Sequence, residues 1–165
     1  MAKKTLTKKT LATNMLDAEG IAYTLHTYEY DYEYDPTAER IGLQAAESLG
    51  VAGESVVKTL MALVDGKAVC VMVPSDREVN MKKLAGAAGG KSAQMMRPAD
   101  AERVSGYHVG GISPFGQRRS VAAFMDQNAF ALGEIFLNGG QRGLQIKVQA
   151  ADAVAVLHAT VATLT

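Results

Sequence analysis

Cysteine and histidine are scarce in this sequence of 165 residues, which has one cysteine, Cys70, and three histidines. A single cysteine excludes a disulfide within the chain, and three scattered histidines exclude a zinc site with familiar ligand spacing. No apolar run approaches the roughly 20 residues that a membrane-spanning helix requires. The basic start at residues 1–5 leads into polar residues and not into the apolar core of a secretory signal. We therefore expect a cytoplasmic protein without a metal or an organic cofactor.

Net charge is also lacking, because 17 basic side chains balance 17 acidic ones. The charges are unevenly spread: residues 1–9 carry +4, residues 10–57 carry −8 and residues 58–165 carry +4. A protein that holds a long nucleic acid tightly is usually strongly basic, and this one is not. The balance indicates at most a brief encounter with a polyanion, through a smaller basic surface formed by residues 58–165.

The pattern of apolar residues predicts a single domain over residues 1–165, with no repeat or long linker. Helices and hairpin-linked strands alternate without a regular βαβ rhythm, which favours the α+β class with a mixed sheet. The predicted helices cover 7–19, 37–49, 80 to the glycines at 89–90, 98–104 and 153–164. The predicted strands cover 21–28, 56–64, 67–73, 120–125, 133–138 and 144–148, with a tight turn at Asp65-Gly66.

Lys58 is a cation in an otherwise apolar strand pattern. On a strand it shares a face with the apolar residues at 56, 60, 62 and 64, and a lysine is seldom buried without a partner. Two interpretations stay open. Either the side chain reaches water near the strand end, or it is held at the mouth of a pocket to bind a phosphate or a developing oxyanion.

The segment 109–117 is rich in glycine and contains Gly110-Gly111 followed by Ser113-Pro114. Such a loop can present two backbone amides to a carbonyl or phosphate oxygen, and the alternative is an ordinary tight loop. The glycine spacing resembles that of a phosphate-binding P-loop. However, Gln117-Arg118 stands where that motif requires Lys-Ser/Thr, so nucleotide hydrolysis is unsupported.

No nucleophile with a base can be assembled from the remaining residues. Cys70 lies in the middle of a predicted strand, which indicates a buried small hydrophobe, and nothing pairs the three histidines with a serine. Residues 28–34 alternate tyrosine with acids, and we interpret them as an exposed extended loop, except for Tyr28, which closes a strand. If the protein is an enzyme, it lacks an obvious acid–base set.

Five segments spread over nearly the whole chain carry a family resemblance. They are His26-Thr27-Tyr28, the Ile-Gly-Leu-Gln-Ala-Ala segment at 41–46, the Val-Lys-Thr-Leu segment at 57–60, the Gly-Gly-Ile-Ser-Pro-Phe-Gly-Gln segment at 110–117 and the Gly-Gly-Gln-Arg-Gly-Leu segment at 139–144. Together they resemble the YbaK/EbsC family of small aminoacyl-tRNA deacylases, which is related to the editing domain of prolyl-tRNA synthetase. The resemblance implies a mixed, curved β-sheet surrounded by helices.

The resemblance further implies hydrolysis of mischarged tRNA(Pro), with cysteinyl-tRNA(Pro) as the favoured substrate. In this family the substrate's own thiol attacks its ester carbonyl and releases tRNA and a cyclic thiolactone. The implied partners are the acceptor end of tRNA(Pro) and, as a further candidate, prolyl-tRNA synthetase. The alternatives are editing of alanyl-tRNA(Pro) and a non-catalytic module that binds a tRNA end or a synthetase.

The resemblance also assigns roles to residues of this chain. Lys58 is the expected catalytic residue and grips the tRNA end or the ester region. Gln145 stands where some members have an acidic residue, so it can accept a hydrogen bond from the substrate amine but supplies no charge. The expected substrate-binding residues are Tyr28, Ile41, Gly42, Gly110, Gly111, Ile112, Ser113, Asn138 and Gln145.

Overall fold

Short helices alternate with short strands along the chain, and the computed structural model describes residues 9–28 and 38–165. The helices of this part are α1 (Leu11–Ala18), α2 (Ala38–Leu49), α3 (Met81–Ala87), α4 (Pro98–Ser105), α5 (Gln127–Ala131) and α6 (Ala150–Leu157). Its strands are β1 (Tyr23–Thr27), β2 (Val57–Val64), β3 (Lys67–Pro74), β4 (Ala93–Met95), β5 (Ala122–Asp126), β6 (Glu134–Asn138), β7 (Leu144–Gln149) and β8 (Thr160–Ala162). A single 3-10 turn, Gly53–Ser55, precedes β2.

The strands form two sheets. Three strands form an antiparallel sheet in the order β1-β7-β6, and five form a mixed sheet in the order β4-β2-β3-β5-β8. In the larger sheet β4, β2 and β3 pair antiparallel, while β5 pairs parallel with both β3 and β8. A parallel bridge between Val56 and Phe136 joins the start of β2 to the middle of β6. The predicted α+β class with mixed strand pairing is confirmed, with the strands divided between two sheets.

The β2–β3 hairpin follows from its turn residues, as predicted. Asp65 and Gly66 both have positive φ angles, +49° and +82°, which a two-residue hairpin turn of the right twist requires. The Asp65 carboxylate accepts hydrogen bonds from the backbone N–H groups of Lys91 and Ser92, both at 3.0 Å. These bonds lower the pKa of Asp65 and hold the chain that leads into β4 beside β2.

Both faces of β2 are buried, which explains the continuous apolar pattern over residues 56–64. On one face Val57 and Met61 pack in a core cluster with inward-facing residues of β6 and β7. On the other face the residues at 62 and 64 pack with Leu84 of α3. Cys70 lies in the first of these clusters and is 2% exposed, so the prediction of a small core residue is confirmed.

The C-terminal segment differs from the prediction of one apolar helix over 153–164. Helix α6 ends at Leu157, and the next residue, His158, caps it with a left-handed φ of +52°. The chain then forms β8, which pairs parallel with β5, and the Leu164 N–H donates to the buried Asp126 carboxylate at 2.9 Å. Pairing with a distant strand has overridden the local apolar pattern here. No helix in residues 9–28 and 38–165 is long and apolar enough to cross a membrane.

Candidate functional site

A cavity of about 640 Å³ lies where β2 and β6 separate from their common bridge. One wall is residues 56–61, at the start of β2. A second wall comes from β4 and α4, through Met95, Met96, Pro98, Ala101 and Glu102. The loop residues Val109, Gly110 and Ile112, together with Asn138, Arg142 and Gln145, complete the lining. The lining is therefore mostly apolar with a few polar side chains, which is typical of a small-molecule or cofactor site.

The hydrogen-bond pattern of β2 shows why a gap opens beside this strand. Alternate residues of a strand direct their N–H and C=O groups to opposite neighbours. The Val56 carbonyl accepts from Ser75, at the β3 side, whereas the Met61 carbonyl accepts from Met96, at the β4 side. Thr59 lies two residues before Met61, so its backbone groups face the same side of β2 as the Met61–Met96 bond. It lies between that bond and the Val56–Phe136 bridge. Within the described residues no strand pairs with β2 on that side at Thr59, so its backbone N–H and C=O groups border the cavity.

Lys58 is the second residue of β2 and lies opposite Val73 of β3. The residue is only 7% exposed and lines the cavity. The strand-end interpretation, in which the side chain reaches bulk water, does not fit this burial. The second interpretation, a cation at the mouth of a pocket, is compatible with this position, and the binding of a phosphate or an oxyanion stays a prediction.

Asn138 and Gln145 lie opposite each other in the β6–β7 ladder and both line the cavity. Both polar atoms of the Asn138 side chain are hydrogen-bonded: its Nδ2 donates to the Gly110 carbonyl at 3.1 Å, and its Oδ1 accepts from the Gly140 N–H at 2.7 Å. Gln145 is 3% exposed, and its buried Oε1 has no hydrogen-bond partner. Asn138 therefore fixes the glycine loop to the sheet, whereas Gln145 offers an acceptor to a ligand.

Thr59 is a cavity residue that the sequence analysis missed. It is 8% exposed, and its Oγ1 is buried without a hydrogen-bond partner. A buried polar atom without a partner costs free energy, and such an atom in a cavity wall indicates a missing ligand or water. The available signal was a hydroxyl residue directly after Lys58 in an otherwise apolar strand.

The glycine loop offers fewer free amides than predicted. The Gly111 N–H donates to the His108 carbonyl at 2.8 Å, so it is used within a turn and is not available to a ligand. A Cβ on Gly111 would lie 3.0 Å from the backbone of residues 141 and 142, which explains the glycine by close packing. Gly110 lines the cavity, and its N–H has no hydrogen-bond partner among the described residues.

Ile112 also lines the cavity, but Ser113 does not. Ser113 is fully buried, and its Oγ accepts from the Phe115 N–H at 3.3 Å. The serine therefore shapes the loop from behind. It is not placed to act as a nucleophile in the cavity.

The cavity rim carries a charged chain of contacts that the sequence analysis also missed. Arg142 Nε donates to the Val109 carbonyl at 2.8 Å, and the Val109 N–H donates to a Glu102 carboxylate oxygen at 2.8 Å. The bond from Val109, together with the nearby His108 and Arg142, lowers the pKa of Glu102. Glu102 is therefore an ionised rim residue at neutral pH and is not suited to act as a general acid.

Besides Gly111 and Ser113, three more of the predicted substrate-binding residues are not among the described residues that line the cavity. Tyr28 is 8% exposed and packs with Val56 and Phe136 under α2, behind the cavity wall. Ile41 and Gly42 belong to α2, but their surroundings lie outside what the structure describes. The tyrosine-rich segment at 29–35 also lies outside the described residues.

Among the described residues, the titratable side chains that line the cavity are Lys58, Glu102 and Arg142. The described lining contains no cysteine, histidine, serine or aspartate. Cys70 lies outside the lining, and burial raises the pKa of its thiol to about 12. No group of three metal-binding side chains was found within residues 9–28 and 38–165. The described lining can bind and polarise a ligand, but it holds no pair of nucleophile and base.

Comparisons with known proteins converge on one family. A sequence model of the aminoacyl-tRNA editing domain matches residues 36–155. A protein of Enterococcus faecalis named as a candidate Cys-tRNA(Pro)/Cys-tRNA(Cys) deacylase, EbsC, is 33% identical over 150 residues, covering 90% of this chain and 88% of its own. A proline–tRNA ligase of Acidithiobacillus ferrooxidans is 32% identical over 89 residues, or 54% of this chain and 16% of the ligase.

Solved structures agree on the fold. A crystal structure of a candidate trans-editing enzyme for prolyl-tRNA synthetase superposes with a TM-score of 0.80, at 19% identity, over 96% of this chain and 99% of the other. A second structure, of a hypothetical protein, superposes with a TM-score of 0.79, at 22% identity, over 94% and 99% of the two chains. At these identities the superpositions support the fold alone.

Proposed function

The chain belongs to the aminoacyl-tRNA editing domain family, and we propose that it removes cysteine from mischarged tRNA(Pro) with the help of the substrate's own thiol. As a member of this family it is an aminoacyl-tRNA deacylase. The observation that carries the proposal is the cavity between β2 and β6. Its described lining has a buried lysine and two buried oxygen atoms without partners, but no pair of nucleophile and base.

The size and lining of the cavity suit the aminoacylated end of a tRNA. Its volume of about 640 Å³ lies within the ~300–1,000 Å³ range of ligand sites. The apolar wall formed by Met95, Met96 and Pro98 can cover the base or the aliphatic part of the amino acid. Among the lining residues, Lys58, Thr59 and Gln145 supply polar groups for the ester and the amine.

The buried Oε1 of Gln145 supports recognition of the α-ammonium group. This atom only accepts hydrogen bonds, and it has no partner, so a ligand that satisfies it must supply a donor. The ammonium of an aminoacyl group is such a donor, and a hydrogen bond to a charged group is about twice as strong as a neutral one. Gln145 would therefore orient the amino acid without adding a charge to the cavity.

The described lining residues include no pair of nucleophile and base, which supports a role for the substrate thiol. A free thiol has a pKa near ~8.5, so a small fraction is thiolate at neutral pH. In the proposed step the thiolate sulfur bonds to the ester carbonyl carbon, the bond from that carbon to the ribose oxygen breaks, and this oxygen takes up a proton in place of the one the thiol lost. The products are tRNA and a cyclic thiolactone, which water then opens to cysteine. The protein supplies attack geometry and stabilises the oxyanion.

Lys58 is the proposed stabilising cation. Among the described residues that line the cavity it is the one lysine, and its burial keeps bulk water from screening its charge. Its ammonium group would contact the developing oxyanion or the terminal phosphate, and the N–H of Gly110 would add a neutral donor from the opposite loop. The choice of tRNA(Pro), with prolyl-tRNA synthetase as a further partner, is supported by the similarity to a segment of proline–tRNA ligases.

Deacylation of cysteinyl-, alanyl- and seryl-tRNA(Pro) by the purified protein tests the proposal. We expect cysteinyl-tRNA(Pro) to lose its amino acid at least about tenfold faster than the other two, because only its thiol can form a thiolactone. A faster reaction of alanyl-tRNA(Pro) would replace the proposal by alanine editing. Turnover of none of the three would leave a module that binds a tRNA end without catalysis.

A further inference from the structure

Five arginines lie around α4, the helix that forms one wall of the cavity. We call this set the α4 arginine surface. Its members are Arg97, Arg103, Arg118, Arg119 and Arg142. Arg97 is the residue that caps the N-terminus of α4, and Arg103 lies in its last turn. Arg142 reaches the same region from the other side, through its hydrogen bond to the Val109 carbonyl.

Backbone hydrogen bonds place the other two arginines at the C-terminal end of α4. The Arg118 N–H donates to the Ser105 carbonyl at 2.9 Å, and the Arg119 N–H donates to the Val104 carbonyl at 3.2 Å. A helix of eight residues is about 12 Å long, so the arginines at its two ends flank the same short wall. Four of the arginines therefore lie at the two ends of α4, whose Pro98, Ala101 and Glu102 line the cavity, and Arg142 lines the cavity itself.

The α4 arginine surface is exposed and has excess positive charge. The side chains of Arg97 and Arg103 are 85% and 59% exposed, and both pair with Asp100 at 3.1 Å. Arg118 and Arg119 are exposed and form no ion pair with any described carboxylate. Without Arg142 and Glu102, which interact with each other, the four arginines Arg97, Arg103, Arg118 and Arg119 against the described carboxylate of Asp100 leave a charge of +3. This charge is concentrated in a protein whose net charge is zero.

We propose that the α4 arginine surface binds the phosphates of the tRNA acceptor stem whose 3′ end enters the cavity. This inference rests on the proposed function. An ester held at Lys58 requires the preceding nucleotides to cross the cavity rim, and α4 with Arg142 forms a charged part of that rim. Guanidinium groups bind phosphates in two-point contacts, which suits Arg over Lys. Helix α3, which also carries lysines, contributes no residue to the cavity.

The test compares two charge reversals of equal size. Arg118→Glu/Arg119→Glu changes the proposed surface, and neither arginine lines the cavity. Lys82→Glu/Lys91→Glu is the matched control, on and just after α3, where both lysines are exposed. Both proteins and the wild type are assayed on aminoacyl-tRNA(Pro), carrying the amino acid that the wild type removes fastest, and on the corresponding 3′-aminoacyl-adenosine, which has no phosphate. Binding of an acceptor-stem minihelix that carries no amino acid is measured separately as a function of salt concentration.

The arginine variant should lose about 10- to 100-fold in kcat/KM on tRNA, mainly through KM, and less than about twofold on aminoacyl-adenosine. Its log–log salt slope for the minihelix should be shallower by about 1.4 to 1.8, since each lost phosphate contact removes about 0.7 to 0.9. The lysine variant should match the wild type. Equal losses of kcat/KM in both variants, equal losses on both substrates, or no change in minihelix binding would contradict phosphate binding by the α4 arginine surface. If the wild type binds the minihelix through these arginines but deacylates none of the substrates, the proposed function is wrong, whereas RNA binding by the α4 arginine surface is supported.

Discussion

Replacement of Lys58 by methionine separates a functional lysine from a merely structural one. Methionine keeps most of the apolar stem and removes the ammonium group. In the account above, that group makes a charge-assisted contact with the ester or a phosphate. Lys58 is only 7% exposed, so the contact is shielded from water, and its worth is about 1.5–3 kcal/mol. At ~1.4 kcal/mol per tenfold change, Lys58→Met should reduce kcat/KM roughly 10- to 100-fold.

The assay is single-turnover deacylation of cysteinyl-tRNA(Pro) beside a thermal melt of the same sample. We expect the melting temperature to stay within about 4 °C of the wild type, because methionine keeps most of the apolar stem that packs in the wall. Lys67→Met is the matched control, since Lys67 is an exposed lysine of the same hairpin and should change neither quantity. If Lys58→Met melts normally and deacylates at the wild-type rate, the active site assigned to β2 is wrong.

Three further predictions concern single side chains. Thr59→Val should keep or raise the melting temperature, because Oγ1 has no partner in the fold, and lower kcat/KM about 3- to 10-fold through loss of one substrate hydrogen bond; an unchanged kcat/KM would remove Thr59 from the site. Gln145→Glu should raise the preference for cysteinyl- over N-acetylcysteinyl-tRNA(Pro), because only the former carries an ammonium group for the new carboxylate; an unchanged ratio would contradict ammonium recognition. Cys70→Ala should retain kcat but unfold at lower denaturant. The folded thiol has its pKa raised from 9.0 to about 12, so above pH 9 the wild type loses about 1 kcal/mol of stability per pH unit that the variant does not lose. The stability gap in urea should thus shrink between pH 8 and pH 10, and a constant gap would refute the buried thiol.

Local patterns were sufficient for the elements whose residues carry their own signals. The hairpin at Asp65-Gly66 is encoded by a turn with two positive φ angles. Helix α3 begins after Asn80, whose side chain accepts from the Lys83 N–H at 3.1 Å, as a helix cap should. The burial of Cys70 followed from its apolar neighbours on β3. In each case the deciding interactions lie within a few residues in sequence.

Features that depend on distant pairing could not be predicted in this way. Strand β8 exists because it pairs with β5, and its own sequence is equally compatible with a helix. The cavity opens because, among the described residues, β2 and β6 pair as strands only at the Val56–Phe136 bridge. For this reason Lys58 was identified from its strand pattern, whereas Thr59 and Arg142 were missed. Their role depends on which edge of the sheet is left open.

The family resemblance assigned site residues that can be compared with the described lining of the cavity. Lys58, Gly110, Ile112, Asn138 and Gln145 all line one cavity, although they come from separate segments of the sequence. The assignments of Gly111 and Ser113 remain predictions about the loop. Their described contacts stabilise its shape, and a shared motif cannot distinguish a residue that shapes a loop from one that touches a ligand.

The central claim is that the cavity supplies geometry and charge while the substrate supplies the nucleophile. Single-turnover deacylation of cysteinyl-tRNA(Pro) and S-methylcysteinyl-tRNA(Pro) by the wild-type protein tests it most directly, because methylation blocks the thiol and changes little else. We expect the methylated substrate to react about 100-fold more slowly or not at all, since the intramolecular attack is lost. Equal rates for the two substrates would contradict the claim and require a nucleophile from water or from the protein.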